Sequence, residues 1–344
     1  MWYRSYGLQI TLALGMSVGA LLVAAVHDLP VRDPDDSVVG PFYIRLPIIV
    51  VVCFLIDVLA RCARRGWIRN LRTTFPVVVR ERWPVDHVRL VLIGLGSWYL
   101  TYVAFRNLKS YVPFVRDDLM DDTLVRLDRR LALGDDPATV LHNLLGTGAA
   151  AHFMSFIYIA WIVFVPLSLV IALFWTRNLA TACWYVTAVA VNWVLGVLVY
   201  YLVPSMGPIY ARPSLFEDLP RTPVSQLQDT WMSDRLAMLA DPFGAGTPQT
   251  IAAFASLHVA VMVTACLIGG LIRLEPVSVR WGLWFFLFLN VLATVYLGWH
   301  YVWDVFGGVA IGAAAVWIAA VGTGNRSRLR FRREAADSPV KVLA

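Results

Sequence analysis

The chain has 344 residues, of which 59% are hydrophobic and only 15% charged, with a mean hydropathy of +0.65. That balance excludes an ordinary soluble domain and predicts a polytopic helical membrane protein. The formal net charge of +6 is concentrated in basic clusters beside apolar runs. It therefore reads as a topology signal and an attraction to anionic inner-leaflet lipid, not as a nucleic-acid footprint.

Apolar runs long enough to cross a hydrocarbon core of roughly 30 Å fall near Gly7 to Val26, Pro41 to Ala60, Val88 to Arg106, Phe153 to Phe174, Ala180 to Val203, Phe254 to Ile272, Trp281 to Gly298 and Tyr301 to Gly322. They predict an all-α bundle of eight spans. No small-residue cleavage site follows the first run, so it reads as a retained span. Arg61, Arg64, Arg65, Arg69, Arg72, Arg80 and Arg82 cluster after the second run, and Arg326, Arg328, Arg330, Arg332 and Arg333 follow the last. The excess of basic residues in these loops predicts a plasma-membrane protein with both termini cytoplasmic. The first loop, with Asp28, Asp33, Asp35 and Asp36, is then outside. Cys53, Cys183 and Cys266 lie within runs and Cys62 at the cytoplasmic edge, which suits neither an extracytoplasmic disulfide nor a metal-ligand spacing.

Four segments follow: N-terminal spans with their basic loop over residues 1–106, an outer segment over 107–152, a membrane core over 153–322, and a basic tail over 323–344 whose last residues read as disordered. In the outer segment, Leu119, Leu124, Leu127, Leu131 and Leu133 recur against Asp117, Asp118, Asp121, Asp122, Arg126, Asp128, Arg129 and Arg130. This is the pattern of an amphipathic helix lying on the outer membrane surface. The Pro- and Gly-rich stretch from Pro204 to Ala253 reads as an ordered cap with one helix around Gln226 to Leu239. There is no internal repeat.

Ionisable groups at membrane depth are costly and read as functional. His300 and Asp304 are four apart, so on a helix they share a face, where the carboxylate orients the imidazole. His258 opens an earlier run at the same predicted depth. Two histidines and an aspartate suit metal-independent displacement at phosphorus. One neutral imidazole attacks to give a phosphohistidine, and the other protonates the departing oxygen and later deprotonates the acceptor. No cofactor is required. Phosphate oxygens call for cations or backbone donors, for which Arg106, Lys109, Arg116, Arg212 and the Pro204-Ser205-Met206-Gly207-Pro208 turn are the candidates. His27, His87, His142 and His152 read as ordinary interfacial residues. Most tryptophans read as belt or core, with Trp299 and Trp303 as possible walls of a lipid pocket.

Ser256-Leu257-His258 and Tyr296-Leu297-Gly298-Trp299-His300-Tyr301-Val302-Trp303-Asp304 resemble the second and third signatures of the type 2 phosphatidic acid phosphatase superfamily. The resemblance spans about Phe153 to Gly322. It implies a six-helix phosphatase-like core in which His300 is the nucleophile, Asp304 its orienting partner and His258 the general acid. Thr294 stands where the phosphatase branch carries an arginine, and no lysine precedes Arg212-Pro213 at that branch's spacing. The Pro204 to Tyr210 stretch, Ser256 to His258, and Tyr296 near His300 are instead similar to the inositol phosphorylceramide synthase branch. That similarity implies transfer of a phosphoryl-headgroup from a phospholipid to an alcohol. Ser256, Tyr210 and Tyr296 join Arg106, Lys109 and Arg212 as candidate phosphate-binding residues. The competing readings are a lipid or polyprenyl phosphate phosphatase using water, an intramembrane serine hydrolase built on Ser256, and a transporter or scaffold with a proton-coupling His and Asp. The expected partners are a lipid phosphate and a polar acceptor.

Overall fold

A computed structural model describes residues 2–34, 42–65, 70–175 and 178–329. Among them the chain is all-helical: α1 Trp2–Val26, α2 Phe42–Arg64, α3 Leu71–Arg82, α4 Val85–Val115, α5 Asp121–Leu131, α6 Pro137–Leu145, α7 Ala149–Val170, α8 Leu179–Leu202, α9 Pro208–Ala211, α10 Pro223–Ala240, α11 Leu257–Leu271, α12 Val277–Tyr296 and α13 Val302–Gly322. Arg69, Asp35, Asp36 and the basic tail from Arg330 onward lie outside the described residues.

Each of the eight apolar runs contains a helix, and among the described residues six helices are long and apolar enough to cross a membrane: α1, α4, α7 with its π-helical end, α8, α12 and α13. The sixth run is a different object. Its helix, α11, has 15 residues and is about 22 Å long. The residues before it, Thr250 to Ala253, run in without helix, so His258 stands at the start of a short helix. The third run is longer than expected. α4 continues past Arg106 to Val115, 31 residues in all, so Arg106 and Lys109 sit within a helix and do not end a span at the surface.

The core is built on α8, the most enclosed span, whose Trp184, Val186, Ala188, Val189 and Ala190 are fully buried. α4, α11, α13 and α1 pack around it. Apolar side chains do not drive helix association inside lipid, so close backbone approach and buried polar contacts carry weight there. Gly308 and Gly312, four apart on α13, supply the first: a Cβ at either would run into the Ser256 or Ala260 carbonyl oxygen of α11. Gln9 of α1 supplies the second, donating to Gly94 O at 3.0 Å and Ser97 Oγ at 2.9 Å while accepting from Thr187 Oγ1 at 3.0 Å.

The connecting segments α5, α6, α9 and α10 gather over one end of the bundle. α10 begins with a capping box, Thr222 and Ser225 around Pro223, and covers the helix expected near Gln226 to Leu239. α5 departs from the expected surface helix. Asp121, Leu124, Val125 and Asp128 form its inward face, and Leu131 is exposed.

Candidate active site

The site grows from two helix starts held together by backbone. Ser256 caps α11, its Oγ accepting the Val259 N–H at 3.3 Å, and its own N–H donates to the Asp304 carbonyl at 3.0 Å. The glycines of α13 permit that approach. The α12–α13 turn closes on Thr294, whose carbonyl accepts the N–H groups of Trp299 at 2.9 Å and His300 at 3.2 Å. The Thr294 hydroxyl turns back to Val291 O, so this position supplies no group to the site.

His300 and Asp304 meet, though not as two positions on one helix: His300 lies just before the Tyr301 cap and Asp304 in the first turn of α13, with Nδ1–H donating to Oδ2 at 3.0 Å. The same oxygen accepts the Tyr301 N–H at 3.0 Å, which fixes the carboxylate at the first turn of α13. With its proton on Nδ1, a neutral His300 presents the Nε2 lone pair. That nitrogen lies 3.0 Å from His258 Nδ1, which we assign as the donor on this hydrogen-bond logic. Three groups separated by up to 46 positions thus form one line, Asp304 to His300 to His258. Burial, and then the Lys109 ammonium, push His300 down to about 3, so its ring is neutral. Trp161 packs against His258 with the rings tilted by 40° and their centroids 4.0 Å apart, and donates to its carbonyl at 3.1 Å.

The histidines face a cavity of about 190 Å³. Three helices each present one stripe to it: Tyr102, Phe105, Arg106 and Lys109 from α4, Tyr158, Trp161 and Ile162 from α7, and Trp193 and Tyr200 from α8. The i, i+3, i+4, i+7 spacing on α4 is the geometry of one helical face. Trp231, Thr250 and Trp299 also line it, and no carboxylate does. Lys109 Nζ lies 4.9 Å from the Tyr200 ring centroid and 6.0 Å from that of Phe105, within cation–π range. Arg106 donates to Tyr102 Oη at 2.9 Å.

The structure therefore brings together His258, His300, Asp304, Arg106 and Lys109. Of the other candidates, Met206 of the Pro204–Pro208 turn lines this cavity. Arg212 pairs with Asp122 at 2.9 Å and lines a smaller cavity of about 20 Å³ that His300 also borders. Arg116 pairs with Asp118 and donates to Tyr201 O. The Ser256 Oγ accepts the Val259 N–H as the cap of α11, and Ser256 is not among the residues lining the cavity. Tyr210 donates to Gln228 O and Tyr296 to Gly146 O, each facing away from the histidines. The Met206 and Gly207 N–H groups are taken by the Asp121 carboxylate. Trp299 walls the cavity, whereas Trp303 packs against Phe306 and the small α5 cluster. His142 is buried, bonded to Tyr296 O at 2.8 Å. Tyr158, Trp161, Tyr200 and Asp121 are the additions that sequence reasoning missed. Only the helical stripe on α4 was available in advance as a signal.

No curated protein and no solved structure matches the chain. A family model described as the PAP2 superfamily matches residues 122–318, more than half of the sequence and all of the His258, His300 and Asp304 constellation. The chain belongs to the PAP2 superfamily, whose members are lipid-phosphate enzymes of the phosphatase or phosphotransferase type.

Proposed function

We propose that this protein is an integral-membrane lipid phosphotransferase working at the outer leaflet through a phosphohistidine on His300, as in the inositol phosphorylceramide synthase branch. The observation that carries this reading is the Asp304–His300–His258 line opening onto a cationic, aromatic-walled cavity. His300 Nε2 attacks phosphorus, the bond from phosphorus to the lipid oxygen breaks, and His258 gives that oxygen its proton. Asp304 stabilises the ring as it becomes positive. In the second half, the acceptor hydroxyl attacks phosphorus, its proton passes to His258, and the N–P bond breaks. An in-line transfer places the nucleophile and the leaving oxygen on opposite faces of phosphorus. The two imidazoles, now a hydrogen bond apart, therefore separate to admit the phosphoryl group. Lys109 and Arg106 supply counter-charge from α4 in place of the arginine that Thr294 replaces.

The preference for transfer over hydrolysis rests on the likeness to the inositol phosphorylceramide synthase branch, since a cavity of about 190 Å³ also has room for water beside the histidines. The phosphatase reading uses the same residues with water as acceptor. Purified protein in vesicles, supplied with labelled phospholipid and candidate polyols, separates the two. Transferase activity yields the polyol joined to the labelled phosphoryl-headgroup and an acid-labile phosphoenzyme, whereas release of free phosphate or headgroup phosphate without any transferred product rejects the transferase.

A further inference from the structure

We propose that α5 is a positioning element for catalysis, with Asp121 setting the separation of His258 and His300 through Tyr301 and the Met206–Gly207 turn. This rests on the reading of His300 as nucleophile. Asp121 opens α5 and is buried. Its carboxylate receives the Met206 N–H at 3.0 Å, the Gly207 N–H at 2.9 Å and the Tyr301 O–H at 2.8 Å. Tyr301 follows the nucleophile directly, and its own N–H donates to Asp304. One carboxylate thus grips both sides of the site.

The turn that Asp121 holds is itself the bridge between the two histidine segments. On one side, the Ser205 carbonyl accepts the Ala253 N–H at 3.0 Å and the Ser205 Oγ accepts the Phe254 N–H at 2.9 Å, just before His258. On the other, the Ile209 N–H donates to Gly298 O at 2.8 Å, just before His300. Gly207, at φ +102°, lies so close to the Trp299 backbone that a Cβ would come within 2.6 Å of its carbonyl oxygen. Seven residues along the same face of α5, Asp128 receives the Val302 N–H at 2.9 Å and the Trp303 N–H at 3.3 Å. These are unpaired donors at the start of α13, where a carboxylate is favoured. Both anchors flank His300, and neither lines the cavity.

A purely structural Asp121 would affect folding without affecting the transition-state geometry, and the two roles are separable. Orthovanadate is the probe, since it adopts the five-coordinate geometry of phosphoryl transfer on a histidine and needs no knowledge of the lipid. Full-length wild type, His300→Ala, Asp121→Asn, Tyr301→Phe and the Asp121→Asn/Tyr301→Phe double variant are compared for vanadate affinity and thermal midpoint. Tyr301→Phe removes only a hydroxyl and keeps the buried ring, so it stays informative if Asp121→Asn folds poorly. The expected result is a tenfold or larger weakening of vanadate binding in each single variant, with Tyr301→Phe keeping the wild-type thermal midpoint. The double variant is expected to be no worse than the weaker-binding single. Wild-type affinity in Tyr301→Phe, or additive losses in the double variant, overturns the positioning role while the loss in His300→Ala preserves the site. Unchanged binding in His300→Ala, or no binding by wild type, overturns the catalytic reading and this proposal with it.

Discussion

Replacing Asp304 by asparagine tests the central line of the site with little change of shape. Asp304 Oδ2 accepts two donors, the His300 Nδ1–H and the Tyr301 N–H, each at 3.0 Å. The asparagine carbonyl can accept both. Its amide nitrogen then occupies the position of Oδ1, which is buried without a hydrogen-bond partner among the described residues. What the substitution removes is the charge facing the imidazole as attack makes that ring positive. At 3.0 Å and an effective dielectric constant of about 20, a carboxylate and a unit positive charge interact by about 5.5 kcal/mol. That corresponds to about four decades in rate. The amide dipole retains part of this stabilisation, so phosphoenzyme formation should slow by about a thousand- to ten-thousand-fold. The same exchange in Ser-His-Asp triads has an effect of this order. Rapid-quench measurement of acid-labile phosphoprotein reads the rate, and a thermal melt confirms that the fold persists. A loss of less than tenfold in a folded variant would refute the charge-stabilising role of Asp304.

His258→Gln should lower turnover of lipid donors by about a hundred- to ten-thousand-fold, but should cost far less on an aryl phosphate whose leaving group needs no proton. Equal losses on both donors would remove His258 from the general-acid role. Lys109→Met should raise KM for the lipid donor, because Lys109 faces the cavity with no carboxylate among its lining residues. Arg212→Ala, breaking a half-exposed pair with Asp122, should leave KM and kcat near wild type, and steady-state kinetics on the two variants distinguishes them. Burial pushes the Asp128 carboxyl up to about 6, outweighing the Val302 and Trp303 N–H groups that favour its ionised form. A carboxyl raised in the folded state binds its proton more tightly there than when unfolded. Its contribution to stability is therefore fully present below the ordinary carboxylate value and lost as pH rises toward about 6. Melts of wild type and Asp128→Asn across that interval should run parallel if another group is responsible, and should differ in slope if Asp128 is.

Composition alone determined the class: apolar runs of bilayer length can only be helices, since backbone polar groups in lipid must pair within their own segment. The His300–Asp304 pair was legible from its four-residue spacing, but the shared helical face was not the reason it forms: His300 lies before the Tyr301 cap of α13, and the turn at the helix start brings its ring to Asp304. Arg212 was chosen on an Arg-Pro resemblance, and only the structure showed its guanidinium paired with Asp122 beside a small cavity that His300 also lines, away from Lys109. The aspartates of α5 were assigned to a polar face because a single helix does not show what packs on it. Their buried positions arise from the unpaired N–H groups of two distant turns. Tertiary structure alone decided that His258 comes within 3.0 Å of His300 and that Lys109 lies over the Tyr200 ring. These contacts cross between helices whose relative placement depends on interhelical fit, above all the approach of α11 to Gly308 and Gly312. Hydrophobic periodicity specifies which face of a helix is apolar, but it carries no information about which neighbour that face will meet.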